Sequence, residues 1–133
     1  MNEKENTALV QQAYALFGRG DIPGLMKLMS ADVDWQIMDV ENVPFTGRFQ
    51  GPDGVQRFFG TLAGTVDILK FEAQEFIAQR DKVVVLGVSL FKTKDRGREF
   101  ANKWAHVITV ADGKLKHFQD YGDTAAAEKA FRK

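Results

Sequence analysis

The carboxylate of Asp120 is the group whose place in the sequence most directly suggests chemistry. It follows Phe118 and precedes Tyr121 in a mainly apolar run near the end of the chain. Carboxylates are almost never fully buried without a partner or a function. In an apolar cavity such a group is suited to proton transfer as a general acid or base. The alternative is a structural aspartate that accepts hydrogen bonds from the backbone or from an arginine at the end of the sheet.

The two histidines of the chain, His106 and His117, are the candidate acid–base partners of Asp120. Regular strand pairing turns His106 away from Asp120, so a contact between them requires a β-bulge, which is common in strongly bent sheets. Without a bulge, His106 belongs to an interface or to packing. Two histidines without cysteine or a spaced carboxylate cluster do not predict a metal site. We expect neither a metal nor a cofactor.

Two tryptophans and two loop acids are further candidates for contact with a ligand. Trp35 and Trp104 are able to stack on a ligand, and packing in the core or at an interface is the alternative. Asp39 and Glu41 fall in an irregular segment that could close over a cavity, although solvated loop acids are the simpler interpretation. The scattered glycines form neither a phosphate-binding loop nor a dinucleotide fingerprint.

The composition excludes several classes of protein. The 133 residues predict a single domain spanning 1–133, and 44% hydrophobic residues are ordinary for a globular protein. Lysine plus arginine equal aspartate plus glutamate at 18 each, which gives no electrostatic reason to expect nucleic acid or an anionic membrane as partner. No apolar run approaches the length of a membrane helix, and the polar N-terminus is not typical of a signal or transit peptide. We therefore expect a cytoplasmic protein.

The order of predicted elements indicates an α+β fold. Helical periodicity is typical of residues 3–17, 22–29 and 51–62, and a short last helix is predicted over 124–131. A short strand is predicted over 33–37, and residues 38–50 read as irregular. Strand periodicity then dominates residues 66–79 and 82–91. The first of these two strands is expected to be bent or bulged, and the second to be covered on both faces.

The last two strands, within residues 99–123, are predicted to form a hairpin around Asp112-Gly113, because both central residues of a type I′ turn need a positive φ. Regular pairing through this turn sets Val110 opposite Leu115 and Ala105 opposite Asp120, and residues directly opposite share a face. One face then carries Ala105, Val107, Phe118 and Asp120. The other carries Trp104, His106, Ile108, Leu115, His117, Gln119 and Tyr121. Because that second face is aromatic and half polar, we predict a homodimer packed through it.

Local motifs in this order resemble the SnoaL-like and ketosteroid isomerase-like group of the nuclear transport factor 2-like superfamily. The resemblance covers essentially the whole chain. It is carried by Phe17-Gly18-Arg19-Gly20-Asp21, Ala31-Asp32-Val33-Asp34-Trp35, Gly47…Gly51, Val55…Phe58-Phe59 and Asp112-Gly113-Lys114-Leu115…Asp120-Tyr121-Gly122-Asp123-Thr124.

The resemblance implies a cone in which three N-terminal helices close over a strongly curved antiparallel or mixed sheet around an apolar pocket, with dimerisation through the outer face of the sheet. In such a fold the core is also the pocket wall. The expected ligand-binding residues are therefore Tyr14, Phe17, Met29, Trp35, Ile37, Phe58, Phe59, Ser89, Trp104 and Phe118. A small apolar or amphipathic molecule is the expected ligand.

Comparison with enzymes of this group, position by position, singles out Asp120. The general base of ketosteroid isomerases falls at Ile37, and their two oxyanion donors fall at about Ala13 and Ala105. In limonene epoxide hydrolase the catalytic aspartate falls at Asp120. Its partner arginine and second aspartate fall at Gly87 and Ser89, and its water-positioning tyrosine and asparagine at Trp35 and Ile37.

Polyketide cyclases of the SnoaL type use a late aspartate with a nearby histidine, a pattern compatible with Asp120 and His106 or His117. The function predicted from the sequence is therefore binding of a small, mainly apolar molecule, with cofactor-free acid–base catalysis through Asp120 and His106. The alternatives are a binding or interaction module without catalysis, and an accessory dimer whose pocket is vestigial.

Overall fold

Four helices pack with one six-stranded sheet in the computed structural model, which describes residues 2–133. The elements in chain order are α1 (Glu3–Gly18), α2 (Ile22–Met26), β1 (Met29–Ile37), β2 (Gly47–Gln50), α3 (Gly51–Thr65), β3 (Val66–Gln79), β4 (Lys82–Thr93), β5 (Glu99–Ala111), β6 (Lys114–Tyr121) and α4 (Thr124–Phe131). The sheet order is β2-β1-β6-β5-β4-β3, with β1 and β6 parallel and the other neighbours antiparallel. The predicted α+β fold with a curved, mixed sheet is confirmed.

Helix α1 begins at a capping box, in which the Asn2 side chain accepts from the Glu5 backbone N–H and Glu5 reaches back to the backbone of Asn2. A second set of contacts fastens the helix to the turn between β3 and β4. The Glu3 carboxylate accepts from the backbone N–H of Arg80 at 2.7 Å, and the buried Asn6 side chain donates to the Arg80 carbonyl. The apolar face of α1 is therefore held against the sheet.

Helix α2 is shorter than predicted, and strand β1 begins earlier. Asp21 caps the helix by accepting from the Gly24 backbone N–H at 2.9 Å, as predicted. The helix ends at Met26 because the following chain joins the sheet. The Leu28 carbonyl accepts from the Leu115 backbone N–H at 2.8 Å, and Met29 pairs with Leu115. Strand β2 lies inside the segment predicted to be irregular. It pairs with β1 and forms one edge of the sheet.

Helix α3 buries the apolar face that its periodicity predicts, formed by Val55, Phe58, Phe59 and Leu62. This face packs mainly against β1, so four large side chains cover the inner face of the sheet. Strand β3 contains the predicted irregularity, with register shifts between Ile68 and Lys70 and between Ala73 and Glu75. Strand β4 differs from the prediction, because its residues alternate between buried and half-buried in the single chain.

The hairpin of β5 and β6 has the predicted turn but not the predicted register. Asp112 and Gly113 have φ of 52° and 72°, as a type I′ turn requires. Val110 pairs with Leu115 but Thr109 pairs with His117, so one residue of β6, Lys116, is extra and forms a bulge.

The bulge shows that the predicted face assignment is wrong, because a shift of one residue moves every later side chain to the other face. His106 now pairs with Asp120 and Ile108 with Phe118. The inner face therefore carries Trp104, His106, Ile108, Leu115, Phe118 and Asp120. The outer face carries Ala105, Val107, Thr109, His117, Gln119 and Tyr121.

Among residues 2–133, no helix is long and apolar enough to cross a membrane.

Candidate functional site

An apolar cavity of about 120 Å³ lies between the inner face of the sheet and the helices α1 to α3. Strands β4, β5 and β6 supply its polar wall through Ser89, Asn102, His106 and Asp120. The other residues that line it are Ala13, Tyr14, Phe17, Leu25, Trp35, Ile37, Phe45, Phe58, Phe59, Leu62, Phe71, Phe91, Trp104, Ile108, Leu115 and Phe118. The site is thus an aromatic enclosure with one small polar region.

Three side chains from α1, β5 and β6 form a hydrogen-bonded chain in this polar region. The Tyr14 hydroxyl lies 2.5 Å from His106 Nδ1, and His106 Nε2 lies 3.0 Å from Asp120 Oδ1. The imidazole is buried, and the Asp120 side chain is only 17% exposed. The register shift at Lys116 brings these groups together, because it turns Asp120 to the face that His106 occupies. The second carboxylate oxygen, Oδ2, has no hydrogen-bond partner among residues 2–133.

The hydrogen bonds and the burial together define the protonation of the chain. Burial lowers the pKa of His106 from its ordinary 6.5, and the hydrogen bond and charge of Asp120 oppose that effect only in part. Burial and the negative charge of Asp120 raise the pKa of Tyr14 well above 10.0. Near neutral pH, therefore, Tyr14 donates its hydroxyl proton to Nδ1, and neutral His106 donates Nε2–H to the Asp120 carboxylate. Among the described residues that line the cavity, Asp120 carries the single formal negative charge.

The indole ring of Trp104 stacks on the face of the His106 imidazole and holds it in place. The two rings are stacked 4.0 Å apart at 11°, and Trp104 is also nearly parallel to Tyr14 and Phe71. The ring lies across Gly87, which pairs with Trp104 on the neighbouring strand β4. A Cβ at Gly87 would overlap Cζ2 and Cη2 of Trp104 and a backbone carbonyl of β3. A glycine is therefore needed at this position for the ring to lie flat on the sheet.

Trp35 forms the opposite aromatic wall. It stacks on Phe118 with ring centres 3.8 Å apart at 6°, and it meets Phe59 edge-on at 5.5 Å. The indole N–H groups of Trp35 and Trp104 are both buried without a hydrogen-bond acceptor among residues 2–133. The two tryptophans thus contribute flat aromatic surfaces to the site.

The residues 10–118 of the chain match the family described as the SnoaL-like domain. The chain belongs to the SnoaL-like family. Among solved structures, this SnoaL-like protein is similar to an NTF2-like protein from Burkholderia xenovorans, with 31% identity, a TM-score of 0.90 and 99% of each chain covered. An NTF2-like protein from Burkholderia pseudomallei has 27% identity, a TM-score of 0.88 and 100% of each chain covered.

A third similar structure contains a small molecule. TerC, co-crystallised with polyporic acid, has 27% identity and a TM-score of 0.86, over 97% of this chain and 99% of TerC. No curated protein matches the sequence. The resemblance recognised in the sequence is therefore confirmed at the level of family and fold.

Most of the residues that the sequence predicted for the site of this SnoaL-like protein line the cavity. Met29 does not, because it is buried in the core at the start of β1. His117 lies on the outer face, with Nε2 3.9 Å from Asp34 Oδ2. Asp39 and Glu41 are exposed loop acids, as the simpler interpretation had them. Within residues 2–133, no group of three or more histidine, aspartate or glutamate side chains is arranged to hold a metal ion.

Three positions matched to enzymes of the group carry other chemistry here. The indole of Trp104 covers Gly87, where an arginine was matched, and Ala105 lies on the outer face of the sheet. Tyr14, one residue from the matched donor position Ala13, nevertheless lines the cavity and contacts His106. The hydrogen-bonded chain of Tyr14, His106 and Asp120 therefore differs from the residue sets of the enzymes with which the sequence was compared.

Sequence reasoning missed several lining residues for identifiable reasons. Regular pairing places Ile108 and Leu115 on the outer face, and the bulge at Lys116 reverses that assignment. Phe45 lies in the loop before β2, buried together with Val43, and packs edge-on against Phe131 of α4 at 5.7 Å. Two large apolar residues within a short polar loop were the signal that could have identified this contact.

Proposed function

We propose that the protein binds a small, mainly apolar organic molecule in the cavity and catalyses proton transfer on it without a cofactor, with Asp120 as the proton-transfer residue. The observation that carries the proposal is the hydrogen-bonded chain of Tyr14, His106 and Asp120 on an otherwise apolar wall. A folding role alone does not require a buried chain of three ionisable groups that ends in a cavity.

The size and lining of the cavity define the class of ligand. A volume of about 120 Å³ is close to the ~150 Å³ apolar cavity that holds one benzene molecule. The aromatic side chains supply flat surfaces on both sides, through Trp35 and Trp104. A compound built on one ring, with few polar atoms, fits these features.

The chemical roles follow from the protonation of the chain. Asp120 Oδ2 has no partner in the described residues and is the free base that would accept a proton from a bound ligand. His106 fixes the carboxylate through Oδ1, which leaves the other oxygen without a partner among residues 2–133. Tyr14 fixes the imidazole through Nδ1 and so selects the tautomer that donates to Asp120. On return of the proton from Oδ2 to another atom of the ligand, the enzyme is unchanged.

The family supports a pocket that takes a small molecule. TerC, which is similar in fold over nearly the whole chain, was co-crystallised with polyporic acid. Binding without catalysis is the second candidate function. The observation that favours it is that the Trp104 ring fills the space over Gly87, the position at which the resemblance to limonene epoxide hydrolase places that enzyme's arginine.

We also propose that two copies of the chain pack through the outer face of the sheet, with the residues that the bulge at Lys116 places on that face. Tyr121 is 50% exposed on that face, and Leu86 and Val88 of β4 are half-buried beside it. An exposed aromatic ring beside half-buried aliphatic side chains is typical of an interface. Light scattering at micromolar concentration should give a dimer, and Tyr121→Glu should shift it towards the monomer. A wild-type monomer would refute the proposal.

Exchange of ligand protons in heavy water tests the catalytic proposal, and it does not require that a product be identified. Neutral ring compounds with acidic C–H bonds are incubated with the protein, and deuterium uptake is followed by NMR. Asp120→Asn should slow protein-dependent exchange by about 100-fold or more. Asp34→Asn, which breaks the ion pair with Arg48 on the other side of the sheet, serves as the matched control. Equal rates in wild type and Asp120→Asn would remove Asp120 from the mechanism, and binding without exchange would favour the second candidate.

A further inference from the structure

One buried hydroxyl on the cavity wall has no hydrogen-bond partner within residues 2–133. It belongs to Ser89, which is only 4% exposed and lines the cavity. Among residues 2–133, the unpaired polar atoms that a water molecule cannot reach are Asn6 Oδ1 and the indole nitrogens of Trp35 and Trp104, and Ser89 Oγ is not one of them. The hydroxyl is therefore open to a space that admits a small molecule.

The neighbours of Ser89 identify that space as the cavity. Ser89 pairs with Phe71 of β3 and with Asn102 of β5, and side chains directly opposite one another share a face of the sheet. All three residues line the cavity. Because Ser89 is buried between two lining residues, the cavity is the space to which its hydroxyl opens. Buried polar groups in native proteins are nearly always paired, so we expect a ligand atom or a water molecule to pair with it there.

The other hydrogen-bonding groups of the wall are engaged elsewhere. The Tyr14 hydroxyl donates to His106, and the imidazole donates to Asp120. The Asp120 carboxylate accepts hydrogen bonds and donates none. The Asn102 amide is turned towards the start of α4, where its Oδ1 accepts a backbone N–H at 2.6 Å. Ser89 is therefore the donor available to a ligand on the side of the cavity that β3 and β4 form.

The charge of the wall and the position of Ser89 restrict the ligand. No lysine or arginine is among the described residues that line the cavity, and Asp120 is negative. An anionic group would enter without a cation to balance it, which is costly in a low-dielectric site. Along β5, the pairing partner of Ser89 lies four residues from His106, a separation of about 13 Å in a strand. The hydroxyl thus serves the end of the cavity away from Asp120.

We propose that Ser89 is a specificity-determining residue, and that its hydroxyl donates a hydrogen bond to a neutral acceptor oxygen on an otherwise apolar ring compound. This inference rests on the proposed binding function and specifies its ligand class as ketones, aldehydes and ethers. Such an oxygen accepts from Ser89, whereas the Asp120 carboxylate has no proton to donate to it. The ligand is thereby oriented with its oxygen at Ser89 and its C–H bonds towards Asp120.

The test compares acetophenone with α-methylstyrene, two probes of the same shape that differ in C=O against C=CH₂. Titrations followed by ¹H–¹⁵N NMR give the dissociation constants for the wild type, Ser89→Ala and Ser30→Ala. Ser30 is the matched control, because its hydroxyl contacts Asp32 and does not line the cavity. The preference for acetophenone over α-methylstyrene should fall by about twofold to tenfold in Ser89→Ala and stay unchanged in Ser30→Ala. Because both probes are compared in the same variant, a general change in packing cancels in the ratio.

The carbonyl stretching band of bound acetophenone supplies a second measurement, and in the wild type it requires no variant. A hydrogen bond to the carbonyl oxygen lowers the stretching frequency relative to acetophenone dissolved in an alkane. We expect the lowered frequency in the wild type and a return towards the alkane value in Ser89→Ala.

Each remaining outcome separates this inference from the proposed function. If both probes bind and the preference is the same in Ser89→Ala as in the wild type, water rather than the ligand pairs with the hydroxyl. The inference is then wrong, and the apolar pocket stands. An alkane-like carbonyl band in the wild type overturns the inference in the same way, even where Ser89→Ala fails to fold. If neither probe binds at millimolar concentration, the proposed binding function fails and the inference fails with it.

Discussion

Acidification to about pH 5.5 should destabilise the folded protein through His106. Burial lowers the pKa of this imidazole below its ordinary 6.5 in the folded state. The unfolded chain therefore takes up a proton at a pH where the folded chain does not. The contribution of neutral His106 to the free energy of unfolding is fully present above pH 6.5. It is lost as the pH falls towards the folded-state pKa.

The size of the effect follows from the proton balance of one group. About one pH unit below the unfolded pKa, an unfolded histidine is protonated about ten to one. Because the folded-state histidine stays neutral, the free energy of unfolding of the protein falls by at most about 1.4 kcal/mol relative to neutral pH. The Asp120 carboxylate favours the imidazolium, so the observed loss should be smaller in wild type than in Asp120→Asn.

Urea unfolding curves between about pH 7.5 and about pH 5.5, followed by tryptophan fluorescence, measure this loss. His106→Gln should remove it, whereas His117→Gln, at the half-exposed histidine of the outer face, should retain it. The carboxylate of Asp34, whose pKa the Arg48 hydrogen bond lowers from 3.8, contributes only at more acidic pH. A wild-type stability that rises on acidification, or the same loss in His106→Gln, would refute the reasoning.

Two further substitutions test the packing around the site, each with a matched control in the same chain. Gly87→Ala should destabilise the protein by about 1–3 kcal/mol, because the new methyl group would overlap the ring of Trp104. Gly60→Ala on α3, where nothing lies within 4 Å, should instead stabilise it by about 0.4–1 kcal/mol. Equal urea midpoints for these two variants would contradict the placement of the indole. Tyr14→Phe should cost about 1–3 kcal/mol because it leaves a buried imidazole nitrogen without its donor, whereas Tyr121→Phe should change stability by less than about 0.5 kcal/mol. Similar small effects of both tyrosine changes, measured by the same assay, would show that the buried hydrogen bond is not formed.

The helices and the hairpin turn were predictable because their signals are local. Asp112-Gly113 supplies the positive φ that the turn needs, and the spacing of Val55, Phe58, Phe59 and Leu62 marks one side of a helix. These choices depend on neighbouring residues alone. The family resemblance added the sheet curvature and the pocket, which local patterns do not define.

The register of the last two strands was not predictable, and it decides the site. The bulge at Lys116 places one extra residue on β6, and nothing in the alternation of β6 marks that position. A single residue of shift nevertheless moves Phe118 and Asp120 to the other face of the sheet. The hydrogen bond between His106 and Asp120 therefore depends on tertiary pairing across the whole sheet.

The central claim is that neutral His106 links Tyr14 to the Asp120 carboxylate on the cavity wall. Long-range ¹H–¹⁵N NMR of the histidine rings at neutral pH tests it most directly, because it distinguishes the two neutral tautomers from the imidazolium. The expected result is a neutral ring protonated at Nε2, and Asp120→Asn or Tyr14→Phe should each change the signal of the nitrogen that it contacts. A ring protonated at Nδ1, or an imidazolium at neutral pH, would contradict the account.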